Sequence, residues 1–401
     1  MKLVWVCLGF LVTQLAFAAP DEAVLGKAAG YPVCAMAQAG ETRCLVGTVS
    51  HGDQIFPARK VAKGAAALPL KRAASEPVLR YSHTFGSSTL DEYLSRNRTT
   101  GLLVLKDDTI LIERYQYERK PEHRMASYSM AKTIVSMLFG IALGEGKIKS
   151  LDDRAEAYVP ELKGYPYGET PLRHLLSMSS GVRFTENYGG NDDVSVLARL
   201  SLGQQSEGGA AAVLPFRDRV RPPGQRFSYS SAETQVLGLA LRAAVGRNLS
   251  EYLSGKIWQP MGAEADASWL IDKGGYEVAF GFFNATLRDY ARLGMLLAND
   301  GALAGRQIIP ADWVKAATTA PAPQFRPGQA HSYFGYGYQT WLLPGDGRRF
   351  QLRGLRGQIV CVDPQTKVVV VHTAARETQN DPGYSEQTTM CTGFMDMLAK
   401  G

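Results

Sequence analysis

Cysteine is scarce in this chain, five among 401 residues, and no two stand as C-x-x-C. The six histidines are dispersed. A disulfide-stapled miniature scaffold is excluded, and a zinc site lacks the clustered ligands it needs. There is no block of like charge. The formal net charge is +6, with lysine and arginine scattered and no aromatic interleaving, so a nucleic-acid role has no support. There is no internal repeat, and beyond the N-terminus no second long apolar run. The esterase elbow G-x-S-x-G is absent, since Ser177-Met-Ser-Ser-Gly181 lacks its first glycine. What is abundant is apolar material. At 45% hydrophobic residues the chain can build a core, which excludes intrinsic disorder. Forty-one glycines and twenty prolines, spread throughout, predict many loops and no coiled coil.

The N-terminus reads as a secretory signal peptide over residues 1–18. Met1-Lys2 is a short basic region, Leu3 to Phe17 is apolar except for Thr13 and Gln14, and Ala16-Phe17-Ala18 is an A-x-A cleavage site. The expected location is periplasmic or secreted after cleavage near Ala18, with no membrane association beyond that peptide. Cleavage removes Cys7 and leaves Cys34, Cys44, Cys361 and Cys391, an even number that fits two disulfides in an exported chain. The local Cys34–Cys44 pair is preferred. A Cys361–Cys391 bridge would tie a terminal helix to a strand, and buried free thiols are the alternative.

Residues 19–77 form a Gly/Ala/Pro-rich N-terminal extension without sustained periodicity, and the main domain is expected over 78–401. Gly101–Lys106 and Thr109–Tyr117 read as a hairpin turning at Asp107-Asp108. Ser129 to Gly144, nearly all apolar in its middle, reads as a buried helix. A mainly helical lobe is expected over about 150–330. It includes a helix capped by Thr170-Pro171, one opened by a Ser230-x-x-Glu233 capping box, and one from Thr286 to about Ala298. Strands follow at Tyr336–Leu343, Arg348–Arg353, Gln358–Val362 and Lys367–Thr373, then a helix over about Ser385–Lys400. Strands at both ends with helices between them predict an α+β fold, in which the hairpin joins the C-terminal strands in one antiparallel sheet.

Three elements carry chemistry. In Ser129-Met-Ala-Lys132 the serine and lysine share a helix face one turn apart, and a lysine buried there would lose its proton readily and serve as base. Pro222-Pro-Gly224 is a rigid turn, after which Tyr229 precedes a helix and can project into a cleft. Gly354-Leu-Arg-Gly357-Gln358 begins a strand, where glycines admit a ligand to the backbone and an edge N–H can face an oxyanion.

In this order and spacing these elements resemble the serine β-lactamase and penicillin-binding-protein superfamily. The likeness is greatest to class C β-lactamase-related esterases and amidases, including the nylon-oligomer (6-aminohexanoate-dimer) hydrolases. It rests on Ser127-Tyr-Ser-Met-Ala-Lys-Thr133, Leu175-Leu-Ser-Met-Ser-Ser-Gly-Val182, Pro222-Pro-Gly224, Tyr229-Ser-Ser231, Val236-Leu-Gly238, Ile257-Trp-Gln-Pro-Met-Gly262 and Leu287-Arg-Asp-Tyr-Ala-Arg-Leu-Gly294, and covers residue 78 onward. The resemblance implies the β-lactamase/DD-peptidase-like fold and an acyl-enzyme on Ser129. Lys132 and Tyr229 would move its proton, and the backbone N–H groups of Ser129 and Gln358 would form the oxyanion hole. Glu186 and Tyr188 would belong to a mobile substrate loop, with Glu186 holding a substrate ammonium and Tyr188 closing over an amide. Asn284 would be a polar residue lining the pocket. No cofactor or metal is implied, and the partner would be a small ester or amide.

Two departures narrow this. The family's Tyr-x-Asn is Tyr229-Ser230-Ser231 here, so a hydroxyl stands in place of the orienting amide. The Lys-Thr-Gly of true β-lactamases is matched to Leu355-Arg356-Gly357, with Arg356 where nylon-oligomer hydrolases have histidine, and the apolar Leu355 argues against efficient antibiotic hydrolysis. The leading expectation is an exported serine hydrolase. The alternatives are an acylation-only or non-catalytic sensor, or a DD-peptidase.

Overall fold

The computed structural model describes residues 18–83, 86–203, 207–377 and 383–400. The signal-peptide reading falls on residues outside these, apart from Ala18. Two β-sheets organise the described chain. The larger has eight strands in the order Gly335–Tyr336, Trp341–Leu342, Phe350–Gly354, Gln358–Asp363, Val368–Ala374, Thr99–Lys106, Thr109–Tyr115 and Lys71–Arg72. The N-terminal hairpin does join the C-terminal strands, through antiparallel pairing of Val368–Ala374 with Thr99–Lys106. Only the outermost pairing, Lys71–Arg72 on Thr109–Ile110, is parallel, and its strand comes from the N-terminal extension.

Period-two alternation divides this sheet between two cores. Leu103, Leu105, Val360, Val362, Val369 and Val371 face the main core. Leu102, Val104, Ile359, Cys361, Val368 and Val370 face a smaller one, closed by the C-terminal helix Gly383–Leu398. Both faces are covered, which is why these strands are apolar nearly throughout. On the main-core side lies the expected helix, Leu287–Ala298, which Thr286 caps, with Gly294 pressed so close to Val369 and Val360 that a β-carbon would clash. The helix Ala131–Gly144 is buried on almost every side, as its continuous apolar run requires.

Several expectations need correction. Helices outnumber strands among the described residues of 150–330, but short strands stand between them. The strands Ala267–Leu270 and Phe283–Ala285 form a four-stranded sheet with Ala58–Val61 and Met125–Ala126. The expected strand Tyr336–Leu343 is two short strands separated by a turn in which Gln339 has φ 57°. The helix after Pro171 runs only over Leu172–Leu176, and Thr170 Oγ1 donates to the Pro166 carbonyl instead of capping it. The expected capping box is also absent. The helix is Ser231–Val245, with Ser230 Oγ paired to the Tyr167 hydroxyl and Glu233 accepting the Ser180 hydroxyl. Tertiary partners outbid the local cap at both serine and glutamate.

Of the cysteine readings, the local one holds. Cys34 and Cys44 are bonded, within a small core of Leu25, Tyr31, Leu45, Val46 and Val49. Cys361 and Cys391 are buried free thiols, so the expectation of a second disulfide is not met. Among the described residues, no helix is long and apolar enough to cross a membrane.

Candidate active site

Ser129 lies in a tight 3-10 turn, Tyr128–Met130, that leads directly into the buried helix at Ala131. Tyr128 has φ 43°, a left-handed conformation unusual for a bulky residue. The turn is clamped in place. Ser127 N–H donates to the Phe283 carbonyl at 2.6 Å, and Phe283 N–H donates to Ser127 Oγ at 3.0 Å. The strained turn leaves the Ser129 side chain partly exposed while its neighbours Ser127 and Met130 are buried.

Lys132, one turn on, is 1% exposed. Its Nζ donates to Ser129 Oγ at 3.0 Å, Ser231 Oγ at 3.0 Å and the Phe280 carbonyl at 2.7 Å. Burial pushes its pKa down to about 8, partly opposed by the negative charge of Glu186. The three acceptors match an ammonium's three protons. After one proton leaves, the amine can still donate to Phe280 and Ser231 and has a lone pair for the Ser129 hydroxyl. A lysine in this setting can act as base near neutral pH.

Tyr229 meets the same cavity as Ser129. Its ring is 5.2 Å from Lys132 Nζ and is stacked on Trp341, 5.2 Å between centroids. Phe227 and Tyr336 complete the aromatic packing around it. Gly224 makes the preceding turn possible. It has φ 84°, and a β-carbon there would sit 2.4 Å from the His174 ring.

Glu186 and Tyr188 stand at the site, but Glu186 is already engaged. Its carboxylate accepts the Ser231 N–H at 2.8 Å, the Ser231 hydroxyl at 2.8 Å and the Tyr188 hydroxyl at 2.7 Å. Asp192 Oδ2 in turn takes the N–H groups of Asn187 and Tyr188, the former at 2.7 Å, while Asp192 caps the helix Asp193–Leu202. These contacts hold the loop against the start of the Ser231 helix. Ser231 bridges Glu186 and Lys132, which places it inside the cluster as expected.

Four expected residues are not part of the cavity walls. Asn284 is buried in the smaller sheet, its amide donating to Ser268 Oγ and the Phe282 carbonyl. Arg356, with φ 63°, turns its guanidinium to the carbonyls of Arg376 and Glu377. Gly357 has its carbonyl held by His372 and Gln387. Gln358 is the register partner of Gly354 across the turn, and its side-chain Nε2 donates to the carbonyls of Arg356 and Ala374. The segment that meets Ser129 is instead Arg353-Gly354-Leu355. A β-carbon on Gly354 would lie 2.1 Å from the Ser127 carbonyl, so glycine alone lets this strand end back onto the nucleophile's turn. The sequence signal for this is the first glycine of the Gly354–Gly357 stretch. Correspondingly, a cation, Arg353, does stand at the cavity edge. Trp341, His331, Phe280 and Phe282 also line the site, and nothing in their sequence neighbourhood marked them.

A family model described as Beta-lactamase matches residues 88–388. The chain belongs to the β-lactamase family. It is a serine hydrolase of that family, and its fold is that of the β-lactamases and penicillin-binding proteins. It is 26% identical over 327 residues to the 6-aminohexanoate-dimer hydrolase of Paenarthrobacter ureafaciens, a match covering 79% of this chain and 82% of that one. A Bacillus anthracis structure provisionally named a 6-aminohexanoate-dimer hydrolase superposes with a TM-score of 0.81 at 24% identity, covering 90% of this chain and 95% of that one. EstCE1, a hydrolase with promiscuous acyltransferase activity, gives 0.61 at 16% identity, covering 74% and 94%. Among the described residues, no group of three or more histidine, cysteine or acidic side chains is arranged to hold a metal.

Proposed function

We propose that the protein is an exported hydrolase that cleaves small ester or amide bonds through an acyl-enzyme on Ser129. The observation that carries this reading is the buried Lys132, 3.0 Å from Ser129 Oγ, with desolvation pushing its pKa down to about 8. Neutral Lys132 takes the hydroxyl proton as Ser129 Oγ attacks the substrate carbonyl carbon. The resulting oxyanion is met by the backbone N–H groups of Ser129 and Leu355, the second replacing our first assignment of Gln358, because Leu355 lines the cavity at Ser129. Removing one such donor commonly costs on the order of 10²–10³ in rate. The tetrahedral adduct collapses, and the leaving oxygen or nitrogen takes a proton from the Tyr229 hydroxyl, which Lys132 restores. Water then attacks the acyl carbon, giving its proton to the same pair, and Ser129 is regenerated.

The test is intact-protein mass spectrometry after exposure to a fluorophosphonate, with p-nitrophenyl butanoate turnover in parallel. Wild type should gain one adduct and turn over. Ser129→Ala should lose both, with a fall in kcat/KM of at least about 10³. Tyr229→Phe should keep the adduct and lose turnover of butyl butanoate and butananilide, whose leaving groups need a proton, and full activity on them would remove Tyr229 from its role. A stable adduct without ester turnover would favour an acylation-only sensor.

A further inference from the structure

Two cavities, each about 200 Å³, meet at Ser129, and both share Ser129, Glu186, Tyr188 and Leu355 as walls. Beyond those walls they differ in chemistry. One is lined mainly by Tyr128, Val194, Ala198, Phe280 and Phe282, with the serines Ser195 and Ser231 also in its wall. The other is lined by Tyr229, His331, Trp341, Arg353 and Gly354.

We propose that the first cavity receives an uncharged apolar acyl chain and the second receives the leaving group. The inference rests on Ser129 being the acylated nucleophile. When the tetrahedral adduct collapses, the bond from the acyl carbon to the leaving atom breaks and that atom must gain a proton. Tyr229 lines the second cavity and not the first, so the leaving atom lies on that side. The acyl chain is therefore directed the other way, between Phe280, Phe282, Val194 and Ala198.

The walls of the first cavity then decide what kind of chain fits. Its volume is below the range of drug-sized pockets, so the chain is short. Among its described lining residues the carboxylate is Glu186, whose two oxygens already accept three donors, from Ser231 and Tyr188. The walls that this cavity does not share with the other carry no charged side chain, so an ammonium at the end of a chain lying among Val194, Ala198, Phe280 and Phe282 would be desolvated beside apolar groups, which is unfavourable. The chain also differs here from what the name of its Paenarthrobacter ureafaciens relative suggests, since a 6-aminohexanoyl group ends in a cation.

The experiment uses the whole mature chain with p-nitrophenyl acetate, butanoate, hexanoate and 6-aminohexanoate, so that the leaving group stays constant. Active sites are counted by fluorophosphonate titration. Each methylene from acetate to butanoate should raise kcat/KM about threefold or more. Hexanoate should exceed 6-aminohexanoate more than about tenfold. Ala198→Trp, on the partly exposed face of its helix, should lower the hexanoate-to-acetate ratio of kcat/KM at least about tenfold by filling the cavity. A flat chain-length series, or equal use of the aminohexanoate, overturns the assignment while the adduct on Ser129 still supports the hydrolase reading. Absence of any adduct or turnover in folded wild type overturns both. If Ala198→Trp fails to fold, the wild-type series decides alone.

Discussion

The carboxylate of Glu186 accepts both the peptide N–H of Ser231 and its hydroxyl, each at 2.8 Å. Ser231 is the first residue of its helix, so Glu186 does from a distant loop what a capping side chain does locally. Ser231 Oγ meanwhile accepts from Lys132 Nζ at 3.0 Å. One carboxylate thus pins the loop, caps the helix and sets the charge felt by the base.

That coupling predicts a pH effect. For wild type, kcat/KM for p-nitrophenyl butanoate should rise as Lys132 loses its proton, with a midpoint at about 8. The Glu186 charge favours protonated Lys132, so Glu186→Gln removes a force that raises the lysine pKa. The rising limb should move to lower pH, while the maximal rate falls about tenfold as Ser231 loses a strong acceptor. Identical midpoints in the two proteins would show that the charge does not reach the base.

Glu233 offers a stability test away from the chemistry. It is buried, accepts the Ser180 N–H at 3.2 Å and hydroxyl at 2.6 Å, and burial pushes its carboxyl up to about 8. At pH 7 the folded chain holds it protonated, whereas the unfolded chain ionises it above about 4.5. Between those values the folded state binds the extra proton, so stability falls as pH rises. Glu233→Gln keeps the shape and removes the titration. In urea denaturation it should flatten the decline between pH 5 and pH 8, and be more stable than wild type at pH 8 by roughly 1–3 kcal/mol. Parallel pH dependence in the two proteins would count against a protonated Glu233.

The cysteines can be counted. A chain beginning at Ala19, denatured without reductant, should react with thiol reagent at two positions, Cys361 and Cys391. Cys34→Ser with Cys44→Ser should cost about 2–3 kcal/mol by releasing a short loop in the unfolded state. Four reactive thiols in wild type, or none, would contradict the pairing.

Much of this molecule was legible before any coordinates. The hairpin at Asp107-Asp108, the buried helix after Ser129, the helix from Thr286 and the last three C-terminal strands all follow from local periodicity and turn chemistry. The Ser129–Lys132 pair was legible because i and i+3 on a helix must face the same way. The fold class followed from the order of the elements. What local pattern could not decide is which distant group satisfies a given polar atom. Ser230 and Glu233 spell a capping box, yet Tyr167 and Ser180 claim them. Gly354 and Gly357 look equivalent in sequence, and only packing against the Ser127 carbonyl shows which of them meets the nucleophile. Asn284 looks like a pocket residue until the smaller sheet buries it. The sequence by itself determined the elements and the nucleophile–base pair, because both depend on neighbours within a turn. The tertiary structure alone decided the oxyanion strand, the Glu186 cap and the two cavities, because each joins segments tens to hundreds of residues apart.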